Sequence, residues 1–495
     1  MIIDENPMTE PKHNIEHVVV LGGGPAGLAA GHELSARGMK VTVLERAPWV
    51  GGLSLTWERD GFRFDLGGHR WFTKKDWLDQ WFRELMKGEL VDVHRISRIY
   101  FDRKYFDYPV AIKNVLLTAG LFTSIHAVFS YGLQILKERF RREEPENIEE
   151  AYVAQFGPKL YQMFFKRYTE KVWGRDCTLL SADWVTQRTK GLSIWETLKN
   201  ALIPQNVRTV DKKVESLVDT FLYPRFGYQR ISERMREDIE ADGNEVRLHA
   251  NVKSVRIDGG KVTVGYVDRE TNEVREVVCD HIVSTIPLGH LVQIVEPGAP
   301  SHVIDAAKGL EFRSVITANI MLRKEQVTKD TWLYVHDEKV GFARIHEPKN
   351  WSVDMCPPGT TSICAEWFCT KGDAMWEMDD QEIVDRTVGH LADDLGFISR
   401  DEVIGGFALR AHHAYPVYTL DYNDRVGAIK GFLRQHEEYI SIAGRGGTFR
   451  YNNADHSIET GLLVAQNIMG EDHDIEAVNA DKEYHEEKRL DGDRR

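Results

Sequence analysis

The chain has 495 residues, 42% apolar and 28% charged, the make-up of an ordinary water-soluble fold, and its length allows two or more domains of ~100–200 residues each. Acidic side chains outnumber basic ones, leaving a formal net charge of −14, which argues against binding to a polyphosphate backbone and so against nucleic acid. Its five cysteines fall at irregular spacings with no CxxC pair, so neither a disulfide framework nor a metal site is expected, and a reducing cytoplasm is.

The first residues are polar and acidic and do not read as a signal peptide. Residues 17–21 (HVVVL) predict a buried parallel strand, GGGPAG follows, and LAAGHELSARG predicts a helix ending at Gly38. Residues 40–44 (KVTVL) predict a second strand that closes at Glu45, completing a βαβ unit of about 30 residues. Gly22, Gly24 and Gly27 spell GxGxxG between strand and helix, with Pro25 and Ala26 inside the loop. Such glycines let backbone approach a pyrophosphate, and the helix N-terminus sets free N–H groups and positive dipole against it. Glu45 stands where a carboxylate takes a pair of ribose hydroxyls.

FDLGGHRWFTK (64–74) comes next. Two glycines before a histidine make either a tight turn or a place where backbone passes something flat, with imidazole held near it. Residues 75–217 are expected to be mainly helical and rich in aromatics. The apolar stretch 115–136 contains Thr118, Ser124, His126, Ser130 and Gln134, so it predicts a buried or half-buried helix rather than a membrane span. Residues 137–150 read as a charged connector. Strand patterns return at 245–248, 252–257 and 261–267, the last two joined by Asp258, Gly259 and Gly260 as a hairpin. Residues 281–286 predict a buried strand, 311–370 a further sheet, and 439–443 a strand followed by GRGGTFRYNNADHS and an amphipathic helix to Met469. The tail 471–495 is charged and expected to be loose.

Glu45, Arg46, Gly51 and Gly52 form an E-R-x(4)-G-G extension that resembles flavoproteins of the glutathione-reductase-like superfamily, which implies FAD as cofactor. On that reading Gly67 and Gly68 pass beside the flavin ring and His69 lies near it, able to hydrogen-bond or move a proton. Further motifs are YQMFFKRYTEKVWG (161–174), SADWVTQR (181–188), WLYV (332–335) with FAR (342–344), AYPVYTL (414–420) and GRGGTFRYNNADHSI (444–458). Together with DLGGH (65–69) they resemble UDP-galactopyranose mutase, in chain order from the first glycine loop to the last helix. DLGGH and the last glycine-rich loop are shared more widely with the amine oxidase and protoporphyrinogen oxidase branch. FLYPRFGYQRISERM (221–235) is typical of that branch and of desaturases, where it packs over the flavin region.

The resemblance implies a pyranose/furanose isomerase that acts on a nucleotide sugar with reduced FAD as nucleophile. It places His69 at the flavin face, Trp173 on the nucleotide side, Arg188 and Arg344 on the diphosphate, and Tyr415 and Tyr451 as hydroxyl donors to the same group. It also sets Gly444 and Arg445 at the cofactor. Arginine suits a diphosphate because its planar fork donates in pairs and stays charged. The alternative is an FAD-dependent oxidoreductase of the amine oxidase, protoporphyrinogen oxidase or desaturase type, working on an apolar or sugar substrate. A flavin-binding module without activity is a third class. Oligomeric state is left open.

The expected architecture is α/β: a discontinuous Rossmann-like FAD domain of the glutathione-reductase kind from 14–75, 218–310 and 405–470, and a mixed helical and β-sheet substrate domain from 76–217 and 311–404.

Overall fold

The computed structural model describes residues 15–108, 121–138, 143–185, 216–217, 220–480 and 487–488. The β-branched run His17–Leu21 is the middle strand of a parallel sheet, and Val18, Val19 and Val20 are fully buried. Burial of such a side chain contributes about 1.5–3 kcal/mol, so a run without a polar face belongs in a doubly covered sheet. Among the described residues the sheet has five strands, in the order Glu245–Arg247, Lys40–Leu44, His17–Leu21, His281–Ser284 and Ile440–Ile442. All neighbours run parallel, and distant stretches of chain contribute, as the Rossmann-like class requires.

Helices Pro25–Ala36, Arg230–Ala241 and Ala454–Ile468 pack together against this sheet. Small residues set how close they come. A Cβ on Gly461 would sit 2.2 Å from the Ala26 carbonyl oxygen, and Gly31 admits Val43 and Ile239. The expected hairpin is present, with Asp258 paired to Lys261 across Gly259 and Gly260, both at positive φ as a primed turn demands.

A second, larger sheet has seven strands among the described residues. Its order is Val403–Pro416, Phe312–Leu322, Thr361–Cys369, Arg344–His346, Trp332–Val335, Ser97–Phe101 and Lys104–Asp107. Two details of the expected layout differ. The described part of the region after residue 75 is mainly helical, as expected, but it also holds strands: Leu90–His94, Ser97–Phe101 and Lys104–Asp107, of which Leu90–His94 pairs with Thr220–Pro224. The expected boundary at 405 cuts through the strand Val403–Pro416, which pairs along its length with Phe312–Leu322. Residues 405–416 therefore lie in the second sheet.

The apolar helix Leu121–Glu138 takes the half-buried form of the expectation: it buries Tyr131 and leaves Phe129, Leu133 and Leu136 exposed. Residues 115–120 lie outside the described residues. Among the described residues no helix is long and apolar enough to cross a membrane. The start of the tail is also ordered: Val478 is buried, and the Asn479 side chain donates to the Tyr451 carbonyl at 3.0 Å.

Candidate functional site

The glycine loop brings backbone, not side chains, to the start of the first helix. Gly22 has φ +105°, and a Cβ on Gly27 would lie 2.0 Å from the Gly22 carbonyl oxygen, so the helix Pro25–Ala36 begins flush beneath the loop. Its cap is Gly24, which offers no side chain to the first-turn N–H groups. Gly51 N–H donates to the Gly23 carbonyl at 2.9 Å, and a Cβ on Gly52 would stand 3.3 Å from the Gly24 Cα, so this glycine pair closes over the first. Glu45 is buried and accepts from Gly23 N–H at 2.7 Å and Ala47 N–H at 2.8 Å. An ionised carboxylate has about four acceptor sites, which leaves capacity for a ribose hydroxyl pair. Gly444, at φ +75°, abuts Ala26, and its N–H donates to Thr460 Oγ1 at 2.9 Å. These residues fit a dinucleotide. Arg46 extends an exposed side chain from the same edge.

The histidine loop follows the strand Phe62–Asp65. Gly67 has φ +97°, and nothing lies within 4 Å of where its Cβ would be. Gly68 is held differently, since a Cβ there would meet Trp332 Nε1 at 2.2 Å. His69 Nδ1 lies 3.0 Å from the Gly67 carbonyl oxygen, so Nδ1 carries the proton and donates, leaving Nε2 as an acceptor. The ring stacks on Tyr228 with centroids 5.1 Å apart. Burial, with the positive Arg445 and Arg344 nearby, pushes its pKa down to about 4. His69 is therefore neutral at physiological pH.

Asp65, just before the glycines, is fully buried. It accepts from Thr56 Oγ1 at 2.6 Å, Tyr223 Oη at 2.6 Å and Tyr228 N–H at 3.1 Å. Burial pushes its carboxyl up to about 6 against these three donors. Thus FLYPRFGYQ locks onto DLGGH through a single carboxylate. Tyr223→Phe is expected to lower stability by about 1–3 kcal/mol, the cost of an unsatisfied buried acceptor. Urea melts at pH 8 read this, and an unchanged midpoint would remove the hydroxyl from the account.

Arg344 heads the short strand Arg344–His346 and sits opposite Glu366 in the register with Thr361–Cys369. The two side chains form an ion pair in which Glu366 is 1% exposed. Arg344 Nη2 also donates to Tyr415 Oη at 2.9 Å, its guanidinium lies 5.0 Å from the Phe368 ring centroid, and its Nε is buried without a partner. Tyr415 and Tyr451 stack at 5.4 Å, and Arg445 stands 5.2 Å from each ring. Arg445 is fixed by the Asn452 and Ala414 carbonyls, at 2.7 and 2.8 Å, so two of its donor groups serve backbone rather than a cofactor. Gly68 N–H reaches Glu366 Oε1 at 3.4 Å. The histidine loop, Arg344, Tyr415, Tyr451 and Arg445 are therefore one connected constellation.

Two members were not anticipated from sequence. Glu366 is a lone carboxylate inside the otherwise apolar run TSICAEWFC, and that anomaly is the signal that could have found it. His346 is buried, with neither ring nitrogen hydrogen-bonded; it stacks on Trp351 at 4.5 Å, and its Nδ1 is 3.8 Å from Glu366. Burial, with Arg344 and His69 close by, pushes it down to about 3. Its folded pKa lies below the unfolded 6.5, so the unfolded chain takes the extra proton and stability falls as pH drops from 6.5 toward 3. Between pH 6 and 4, His346→Leu is expected to make the fall in unfolding free energy shallower by ~1.4 kcal/mol per pH unit, one proton's worth. Denaturant melts at stepped pH check this, and parallel wild-type and variant profiles would refute it.

Two candidates remain, Trp173 and Arg188. Trp173 is 3% exposed and packs edge-to-face on Trp184 at 5.6 Å, within the core; its Nε1 has no partner. Arg188 lies outside the described residues.

A family model described as "Flavin containing amine oxidoreductase" matches residues 25–469. Among curated proteins, a 1-hydroxycarotenoid 3,4-desaturase of Flavobacterium sp. (strain P99-3) is 25% identical over 284 residues, 54% of this chain and 56% of the relative. L-amino acid oxidase Bs29 of Bothriechis schlegelii is 22% identical over 335 residues, 61% of this chain and 59% of the relative. The chain thus spans a little over half the length of these relatives. Among solved structures, reduced UDP-galactopyranose mutase superposes with a TM-score of 0.77 at 22% identity, covering 94% of this chain and 98% of that one.

Proposed function

The chain belongs to the flavin containing amine oxidoreductase family, an FAD-dependent family of enzymes, and from that premise we propose that it is a UDP-galactopyranose mutase-like isomerase of a nucleotide sugar. FAD supplies, when bound, a ring that is a nucleophile once reduced and a hydride acceptor when oxidised. The chain's own part is positioning and charge. The glycine loop and Glu45 hold the cofactor. Arg344 meets a diphosphate oxygen with its unpartnered Nε, and the Tyr415 and Tyr451 hydroxyls add donors without added charge. Arg188 is the second guanidinium of this reading and Trp173 borders the nucleoside. Neutral His69 keeps an acceptor nitrogen free to hold a proton beside the ring.

One observation carries the reading: Arg344, Tyr415 and Tyr451 converge and join the histidine loop through Glu366. A second reading, an oxidoreductase acting on an amine or a polyene, is favoured by the same ion pair. Glu366 already balances the Arg344 charge, which weakens its pull on a dianion. The test incubates dithionite-reduced protein with UDP-galactopyranose and analyses the sugar nucleotide for furanose. Isomerisation that requires prior reduction supports the proposal. Peroxide or reduced acceptor from oxidised protein, with no furanose from the reduced form, puts the second reading in its place.

A further inference from the structure

Tyr228 meets the histidine loop at three of its residues. Its N–H donates to Asp65 Oδ1 at 3.1 Å, and its hydroxyl donates to the Arg70 carbonyl at 3.0 Å. Between these ties its ring stacks on His69, with centroids 5.1 Å and planes 25° apart. Tyr228 is 1% exposed. With its hydroxyl given to a backbone carbonyl, it offers His69 a flat face and no proton.

The turn that carries Tyr228 is itself pinned. Gly227 has φ +111°, and a Cβ there would lie 2.3 Å from Thr56 Cγ2, so only glycine lets the turn come this close to the strand Thr56–Arg59. Gln229 and Thr56 then exchange two hydrogen bonds. Gln229 N–H donates to Thr56 Oγ1 at 3.1 Å, and Thr56 N–H donates to Gln229 Oε1 at 3.0 Å. The Gln229 side-chain amide also donates to the Val50 carbonyl at 2.9 Å, next to the Gly51–Gly52 pair. Backbone on both sides of Tyr228 is therefore fixed, and its ring is fixed again at the hydroxyl end.

His69 is held less firmly by its own loop. Among the described residues, the hydrogen bond it makes runs from Nδ1 to the Gly67 carbonyl at 3.0 Å, two residues away. Gly67 has φ +97° and nothing within 4 Å of where its Cβ would stand, so this acceptor sits on uncrowded chain. One such bond does not stop an imidazole from turning about its own side-chain bond. A ring anchored at both ends and lying against its face does.

We propose that Tyr228 is the positioning residue for His69: its anchored ring holds the imidazole in one orientation and one tautomer, with Nε2 as the open acceptor. Tyr228 acts through His69 and is not itself catalytic. What His69 does in turnover rests on the isomerase reading; its orientation does not.

The test is heteronuclear NMR of holoprotein labelled at the histidine ring nitrogens, with His69 assigned by its loss in His69→Gln. Two variants are compared with wild type. Tyr228→Phe keeps the ring, and Tyr228→Met fills the volume without a flat face. A single tautomer gives two well-separated ring-nitrogen signals. Wild type and Tyr228→Phe are expected to show them. A stacked aromatic pair favours its arrangement by up to ~10-fold, so Tyr228→Met is expected to raise the second tautomer by a like factor and draw the two signals together. Well-separated signals in Tyr228→Met would overturn the proposal, whatever the variant does to the melting temperature, because Tyr228 would then only fill space. Averaged signals in Tyr228→Phe would overturn it as well, since the ring would not suffice. If Tyr228→Met does not fold, wild type decides alone. The carbon-bound protons of an imidazole lying on a phenol face are shifted upfield, and unshifted His69 protons would end the proposal. A wild-type sample with a fixed imidazole that makes no furanose counts against the isomerase reading only.

Discussion

Arg344→Ala is expected to stop turnover and to destabilise the fold at the same time. It strands Glu366, 1% exposed, as an unpaired buried carboxylate, and breaking a buried pair from one side costs about 3–5 kcal/mol. The double variant Arg344→Leu/Glu366→Leu removes both charges and is expected to recover most of that stability, because apolar replacement of a buried pair is often neutral. Turnover is expected to stay at least ~100-fold down in both, the usual loss when a charge-stabilising donor is removed. Urea melts and initial rates on the same three proteins separate the two effects. A stable Arg344→Ala variant would show that the pair is not structural. A fully active double variant would take Arg344 out of the site under either functional reading.

Gly27→Ala is expected to yield protein without bound flavin, and Gly24→Ala is its control. The added methyl at Gly27 lands 2.0 Å from a backbone oxygen that nothing flexible can move, so helix and loop must part. At Gly24 the nearest atom is the Gly52 Cα at 4.0 Å, an ordinary contact. Gly24→Ala should therefore keep its melting temperature, and any flavin it loses reports on the cofactor alone. Flavin absorbance per protein on purification, read with thermal unfolding, is the measurement. Wild-type flavin content in Gly27→Ala would mean that the loop does not hold the cofactor as described.

The sequence revealed most where one local rule was enough. A β-branched run without a polar face, followed by GxGxxG and a strand ending in Glu45, specifies a parallel sheet and a dinucleotide loop with no further information. The strands at 90–107 escaped because LVDVH, SRIYF and KYFD are short and only partly buried, and tertiary pairing decides such segments. The break at 405 was misplaced because nothing in VIGGFALRAHHAYP marks which of two sheets recruits it. Arg344, Tyr415 and Tyr451 were placed by resemblance, not by physics; spacing alone could not bring residues so far apart in sequence onto one ring stack. Glu366 escaped because it is one polar letter in the apolar strand TSICAEWFC, and His346 because a three-residue strand, RIH, is too short to show a burial pattern.

The contact between Asn479 and the Tyr451 carbonyl bears on how the protein should be handled. Shortening the gene product at Met469, where the matched family region ends, deletes Asn479 and the buried Val478 and takes from the Tyr451 carbonyl its side-chain donor. Trimmed expression clones should therefore keep everything through residue 480.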